Sequence, residues 1–215
     1  KIAEVAFSKM MKENYDIDVP LDFNYYPRGQ WDSQDAVING WRIDVKGTRQ
    51  GGRWMLIEWN KLKFRQRDNN LSHLYVMFSV AWDRIADCPT GLVSYEGAVS
   101  LSRLNSKCKT TKVLRKGDVI PGTHTTLQAD NYGIQFSDLY KHLNHLVQHL
   151  TTKEPPESLT AEFLDPYTGQ TTVQILTASK LDETGSGKAD AGTKGEQPSI
   201  LSTMASWTRK LLGNK

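Results

Sequence analysis

Three residues of the sequence, Asp35, Asp44 and Lys46, have the types and spacing to do chemistry together. Two carboxylates and an amine can hold a cation and assist hydrolysis, provided the backbone brings them to one face. The dipeptide Asn39-Gly40 between two apolar-rich runs predicts that it does, because both residues tolerate the positive φ of a tight hairpin turn. With a two-residue turn, paired positions sum to 79, and Asp35 stands opposite Asp44. Directly opposed side chains start about 5 Å apart. Alternation with period two then puts Lys46 on the face of Asp44.

The back face of this hairpin, Ala36, Ile38, Trp41, Ile43 and Val45, is apolar and expected to meet a core. The front face holds Asp35, Asp44, Lys46 and Arg42, with Val37 as its apolar member. Opposed carboxylates repel, so something positive is expected between them: a divalent cation, or Lys46 or Arg42. Mg²⁺ takes one or two carboxylates together with waters and phosphate oxygens. It acidifies a water ligand and offsets charge on a phosphate. Lys46 could orient the attacking water or stabilise the pentavalent phosphate. The bland alternative is an exposed hairpin on which Asp44 and Lys46 merely meet solvent.

The elements that must position these residues are legible in outline. Residues 1–13 read as an amphipathic helix on Ile2, Val5, Ala6 and Met10, and 19–26 as a strand broken by Pro27-Arg28-Gly29. After the hairpin, strands are expected at Trp54–Trp59, Leu74–Val80 and Leu92–Glu96. A short helix or loop is expected over 60–70, a short helix over Ala98–Asn105, and a basic, turn-rich stretch to about 130. Leu139, Leu143, Leu146 and Leu150 mark a further amphipathic helix. Glu154-Pro155-Pro156-Glu157 reads as a linker, which divides the chain into a domain over 1–152 and a tail over 153–215. Within the tail, 161–176 can form one hairpin around Asp165-Pro166-Tyr167-Thr168-Gly169. Residues 182–198 have a disordered composition, and Ile200–Leu212 can form a terminal helix.

The stretch from Asp35 through Asp44-Val45-Lys46 resembles the signature of the PD-(D/E)xK nuclease superfamily, the restriction-endonuclease-like fold, in its phage or mobile-element members. Glu4, in Lys1-Ile2-Ala3-Glu4-Val5, stands where that family's first helix carries a further acid. Gln34 replaces the family's proline, and the form is DxK rather than the commoner ExK. The resemblance covers about residues 1–80. It implies an αβββαβ core, a mixed central sheet flanked by helices, followed here by a largely disordered tail. It also implies Mg²⁺-dependent cleavage of phosphodiester bonds in DNA, with Mn²⁺ as a substitute. Asp35 and Asp44 would then be metal ligands, Lys46 the catalytic lysine and Glu4 an accessory ligand. Gln66, after the third core strand, would be a contact to the scissile phosphate. A homodimer is the assembly in which many such nucleases cut two strands.

Charge distribution fits a polyanionic partner. The net charge is only +3, yet residues 41–67 carry eight basic residues (Arg42, Lys46, Arg49, Arg53, Lys61, Lys63, Arg65, Arg67) against two acidic ones. Residues 103–116 add six basic residues and no acid, whereas 154–196 carry eight acids and three lysines. Trp54 and Trp59 could stack on bases, but strand tryptophans more often pack in a core. His142, His145 and His149 share a helix with the leucine stripe and read as part of an ordinary amphipathic helix. Cys88 and Cys108 form no zinc-ligand pattern and read as free thiols. No apolar run approaches a membrane span, and a cytoplasmic setting in a bacterial host or its phage is expected. Phosphate-loop, serine-hydrolase, dinucleotide and zincin motifs do not occur. The leading expectation is therefore a metal-dependent endodeoxyribonuclease. Against it stand a catalytically degenerate DNA-binding or assembly module of the same fold, and an interaction protein that uses the acidic tail and terminal helix.

Overall fold

The structure is a computed structural model that describes residues 1–23, 35–62, 71–104, 112–165 and 167–177. Helix α1 spans Ile2–Tyr15 and buries Ala3, Phe7 and Met11, one residue per turn. This is a stripe rotated by one position from the expected one, and Ile2 is left 39% exposed. The cause lies beneath the helix. Gly47 has no side chain, and a Cβ there would stand only 2.9 Å from the Cβ of Ala3. The helix therefore seats on Ala3 rather than on Ile2. The strand expected from residue 19 is not formed over 19–23, although Val19 is buried and its carbonyl accepts a hydrogen bond from Ser8 Oγ at 2.6 Å. Residues 24–26 lie outside the described residues.

Strands β1 (Ala36–Ile38) and β2 (Trp41–Arg49) form the predicted hairpin. Ala36 pairs with Ile43, Val37 with Arg42 and Ile38 with Trp41, the register a two-residue turn demands. Asn39 and Gly40 have φ of 46° and 79°, both in the left-handed region. The next strand, β3 (Trp54–Glu58), does not join this sheet. It is followed by the one-turn helix α2 (Trp59–Leu62), and β4 (Leu74–Asp83) returns parallel to β2. Strand β5 (Cys88–Ser100) pairs antiparallel with β4 and completes a mixed sheet of order β1-β2-β4-β5. The expected strand over Leu92–Glu96 is thus the middle of a longer one. The helix expected from Ala98 begins at Leu101, as the single turn α3 (Leu101–Leu104).

Strand β6 (Lys112–Leu114) and β7 (Asn131–Gln135) pair with each other, and β7 also pairs with β3, giving a second sheet of order β3-β7-β6. Helix α4 (Leu143–Thr152) buries Val147 and Leu150. Strands β8 (Ser158–Leu164) and β9 (Thr171–Thr177) make the expected hairpin.

Alternation along β2 and β4 separates two cores. Ile43, Val45, Val76 and Phe78 pack with Phe7 and Met11 of α1 and with Val147 and Leu150 of α4. Tyr75 and Met77, on the other face, pack with Met55, Ile57, Tyr132 and Ile134 of the second sheet and with Leu62 and Leu101 of the short helices. The protein is therefore mixed α/β, with a mixed central sheet flanked by helices. The second core also takes in Ala161 and Phe163, and Phe163 stands edge-on to Tyr132 (5.7 Å) and Trp59 (6.4 Å). Each such aromatic pair is worth about 0.5–1.5 kcal/mol beyond area burial. The compact unit accordingly runs from Lys1 to Ala178, not to residue 152, because the hairpin after the proline pair supplies core side chains.

Candidate active site

The β1–β2 hairpin brings the sequence-predicted acids together. Asp35 stands just before β1, and its Oδ2 accepts the backbone N–H of Val45 at 2.7 Å. This ties it across the hairpin, beside Asp44 on the next residue. Asp44 is 4% exposed, so it is no solvated surface group. Its Oδ1 lies 2.5 Å from Lys46 Nζ, as strand alternation requires of two residues on one face. Of the two cationic answers available within the chain, Lys46 is therefore an ion-pair partner of Asp44.

The carboxyl of Asp35 is pushed up to about 6. Loss of water is the main cause, the charge of Asp44 comes next, and that of Glu4 adds to it. The Val45 N–H and the charge of Lys46 oppose the shift and do not cancel it. The same balance places Asp44, Glu4 and Lys46 each within electrostatic reach of Asp35. Glu4 comes from the first turn of α1, where its Oε2 pairs with Lys1 Nζ at 2.8 Å.

The wall of the site was not legible in sequence. Asp44 pairs in register with Tyr75 of β4, which is fully buried. Burial and the charge of Asp44 both raise the phenol's pKa, so Tyr75 stays protonated beside the carboxylate. His73, at the entrance to β4, accepts the Arg42 N–H on Nδ1 at 3.0 Å and donates its own N–H to the Arg42 carbonyl at 2.9 Å. Its imidazole is pushed down to about 4, by burial and then by Arg42, and is neutral, with its proton on Nε2.

Arg42 corrects an expectation. It shares the front face of β2, but it is 5% exposed and burial lowers its guanidinium pKa, so it is not a surface contact for phosphate. Its backbone is held between Val37 of β1 and His73 at the entrance to β4. The other predicted cations are dispersed. Arg49 is exposed at the end of β2, where its guanidinium lies 3.9 Å over the Trp82 ring and 3.5 Å from Asp87 Oδ1. Arg53 is exposed ahead of β3. Lys61 is in α2. Lys63, Arg65, Gln66 and Arg67 lie outside the described residues.

Trp54 and Trp59 are both buried, Trp59 stacked on Tyr132 at 5.3 Å, and neither is open to a base. Among the histidines, His145 Nδ1 meets the Tyr140 hydroxyl at 2.5 Å and His149 packs on Trp41 at 5.3 Å.

For a divalent cation, the donor chemistry fits. Two neighbouring carboxylates, one of them pushed up by loss of water and then by the charge of the other, are a set whose repulsion a cation would relieve. Among the described residues no three His, Cys, Asp or Glu side chains are grouped as metal ligands, so waters and phosphate oxygens would supply the rest. A cavity of about 300 Å³ opens on the opposite face of the sheet, lined by Ile2, Ala3, Val45, Arg49, Val80 and Trp82, and does not contain the acids. No helix of the described residues is long and apolar enough to cross a membrane. No protein-family model, curated protein or solved structure matches the chain.

Proposed function

We propose that Asp35, Asp44, Lys46 and Glu4 form the centre of a metal-dependent nuclease of the PD-(D/E)xK type that hydrolyses phosphodiester bonds in DNA. The observation that carries this reading is the coupling of the half-buried Asp35 to the buried Asp44, with Lys46 paired to Asp44 on the same face. Proteins avoid such an arrangement unless it binds something positive. Mg²⁺ or Mn²⁺ bound there would supply a more acidic water and charge compensation at the scissile phosphate.

The chain's own residues do the rest. Asp35 and Asp44 would hold the cation, and its charge would favour the ionised form of Asp35. The Val45 N–H orients the Asp35 carboxylate. Lys46, displaced from Asp44, orients the attacking water and faces the charge that develops on the phosphate. Glu4 accepts a proton or a hydrogen bond from the α1 side. The neutral His73 and Tyr75 add no charge of their own to the wall.

The Lys46–Asp44 ion pair also favours a second reading, in which the lysine permanently occupies the cation's place and the module binds DNA without cutting it. Supercoiled plasmid incubated with Mg²⁺ or Mn²⁺ separates the two. Wild type should nick it, and Asp44→Ala and Lys46→Ala should each lose at least about 100-fold in rate, as removal of a charge-stabilising group does. Equal cutting by all three proteins would remove these residues from the site. DNA binding without cutting, under either metal, would favour the second reading.

A further inference from the structure

We propose that the exposed ring of Tyr167, with Arg115 and Lys116 beside it and Lys112 further along β6, is a stacking platform for an unpaired base, so that the nucleic acid bound is single-stranded. The proposal deepens the nucleic-acid reading above and rests on it for the class of partner.

Four observations carry it. First, Tyr167 is 62% exposed at the tip of the β8–β9 hairpin, yet it is rigidly built. The Asp165 carboxylate, itself 7% exposed, accepts the N–H groups of Tyr167 (2.8 Å) and Thr168 (3.0 Å) through one oxygen. The Asp165 N–H and carbonyl close the turn onto Gln170 and Gly169. Second, the ring is held by its edge. The Tyr167 hydroxyl donates to Asp130 Oδ1 at 2.8 Å, and the same oxygen accepts the Lys116 N–H at 2.8 Å. This joins the hairpin to the turn after β6. Third, the Arg115 guanidinium lies 5.2 Å from the ring centroid.

Fourth, cations meet solvent around the ring: Lys112, Arg115 and Lys116 are exposed, and two carboxylates stand among them, Asp118 accepting the Arg115 N–H at 2.7 Å and Asp130 engaged as above. An aromatic ring fixed in water by its edge has already lost its conformational entropy and offers a π-face at no further ordering cost. Stacking on such a face requires a base that is open above or below. In a duplex both faces of a base are covered by neighbours, so the platform selects an unpaired strand, with its phosphates on the lysines. This is a second cation–aromatic pair on the β6 edge, after Lys112 over Trp54 at 5.9 Å, but only Tyr167 leaves its ring open.

The test is fluorescence anisotropy with the full chain in EDTA, using a labelled oligo-dT and a blunt duplex of the same length. The single strand should bind more tightly. Tyr167→Ala should weaken it roughly tenfold without changing the slope of log K against log salt, since stacking carries no counterion. Tyr167→Phe, which keeps the ring but loses its tie to Asp130, should fall between wild type and Tyr167→Ala. Lys116→Ala should weaken binding and make the slope shallower by about 0.7. Matching melting temperatures exclude unfolding as the cause. Wild-type affinity for oligo-dT in Tyr167→Ala, or a loss of duplex affinity as large as the loss for the single strand, would overturn the platform. Because EDTA abolishes cleavage, ring-dependent binding beside a failed plasmid assay sinks the nuclease reading alone. Ring-independent binding beside metal-dependent cutting sinks the platform alone.

Discussion

The two hairpins of this protein turn opposite sides of their chemistry to the solvent. In the β1–β2 hairpin the charged residues lie inward, between two cores, where Asp44 is 4% exposed and Arg42 5%. In the β8–β9 hairpin the core residues, Ala161 and Phe163, lie inward and the chemistry-bearing Tyr167 stands out at 62%. Burial makes the first site a coupled one. Loss of water and the charges of Asp44 and Glu4 together raise the Asp35 carboxyl, so a change at Asp44 is felt at Asp35. Exposure makes the second site additive, because water and salt screen each group from the next.

The largest effect should come from breaking the buried ion pair. Asp44→Ala leaves Lys46, 23% exposed, beside a buried wall without its partner. A fully buried pair broken this way costs about 3–5 kcal/mol; with Lys46 partly wet, about 2–3 kcal/mol is expected from urea denaturation at pH 7. The same substitution removes one of the charges that hold the Asp35 carboxyl up. A carboxyl titration followed by NMR should therefore show Asp35 moving down from about 6 in the variant, though not to its ordinary value, since loss of water is the larger cause. An unchanged Asp35 titration would mean that the two acids are not coupled.

Asp35→Asn should act in the opposite direction and depend on pH. The folded pKa of about 6 lies above the ordinary 3.8 of the unfolded chain. Below pH 3.8 both states hold the proton and the group costs nothing. As pH rises from 3.8 to 6 the unfolded chain releases its proton first, and stability is lost through that window. Above pH 6 the folded state carries the full penalty. Asparagine escapes it, so Asp35→Asn should gain about 2 kcal/mol at pH 7.5 and nothing at pH 3.5, read as the difference in melting temperature. Mg²⁺ should narrow that gap by stabilising the wild type alone. A gain equal at both pH values would show that Asp35 is not strained by its charge.

Why the acidic hairpin was legible in the sequence, and its surroundings were not, follows from the range of the signals. Asn39-Gly40 admits one tight turn, and a turn plus period-two alternation determines register without any distant residue, hence Asp35 near Asp44 and Lys46 on its face. Nothing local says which edge a strand will choose. Trp54–Glu58 has a strand pattern, but its partner is Asn131–Gln135, so the strand expected beside the acids instead builds a second sheet. Arg42, whose charge alone suggested a surface contact, is buried. Pairing with β4 makes His73 and Tyr75 part of the site. The proline pair at 155–156 does interrupt the chain, yet only the packing of Phe163 on Trp59 and Tyr132 tells that the chain after it returns to the core. Similarly, β5 has a bulge between the partners of Met77 and Phe78, with Gly97 at φ 131° against Leu139. The bulge turns Glu96 towards Ser79, whose hydroxyl donates to it at 2.5 Å, and no spacing rule anticipates that.

The smallest effect belongs to the exposed hairpin, and it tests the additivity claimed for it. Asp165→Ala removes the acceptor of the Tyr167 and Thr168 N–H groups. Both groups sit in a turn that water can reach, so the loss is one of geometry rather than of a buried, unsatisfied donor, and about 1 kcal/mol is expected. Strand β8 should survive it, because Phe163 keeps its place in the core. The ring of Tyr167 should lose its fixed orientation, so that oligo-dT binding falls by less than in Tyr167→Ala. Combined with Asp35→Asn, the two stability changes should sum to within about 0.5 kcal/mol, as independent sites do. Asp35→Asn combined with Asp44→Ala should fall well short of the sum, since each removes the repulsion the other relieves. If the Asp165 and Asp35 changes coupled as strongly as the two acids do, the contrast between a coupled interior site and an additive surface one would fail.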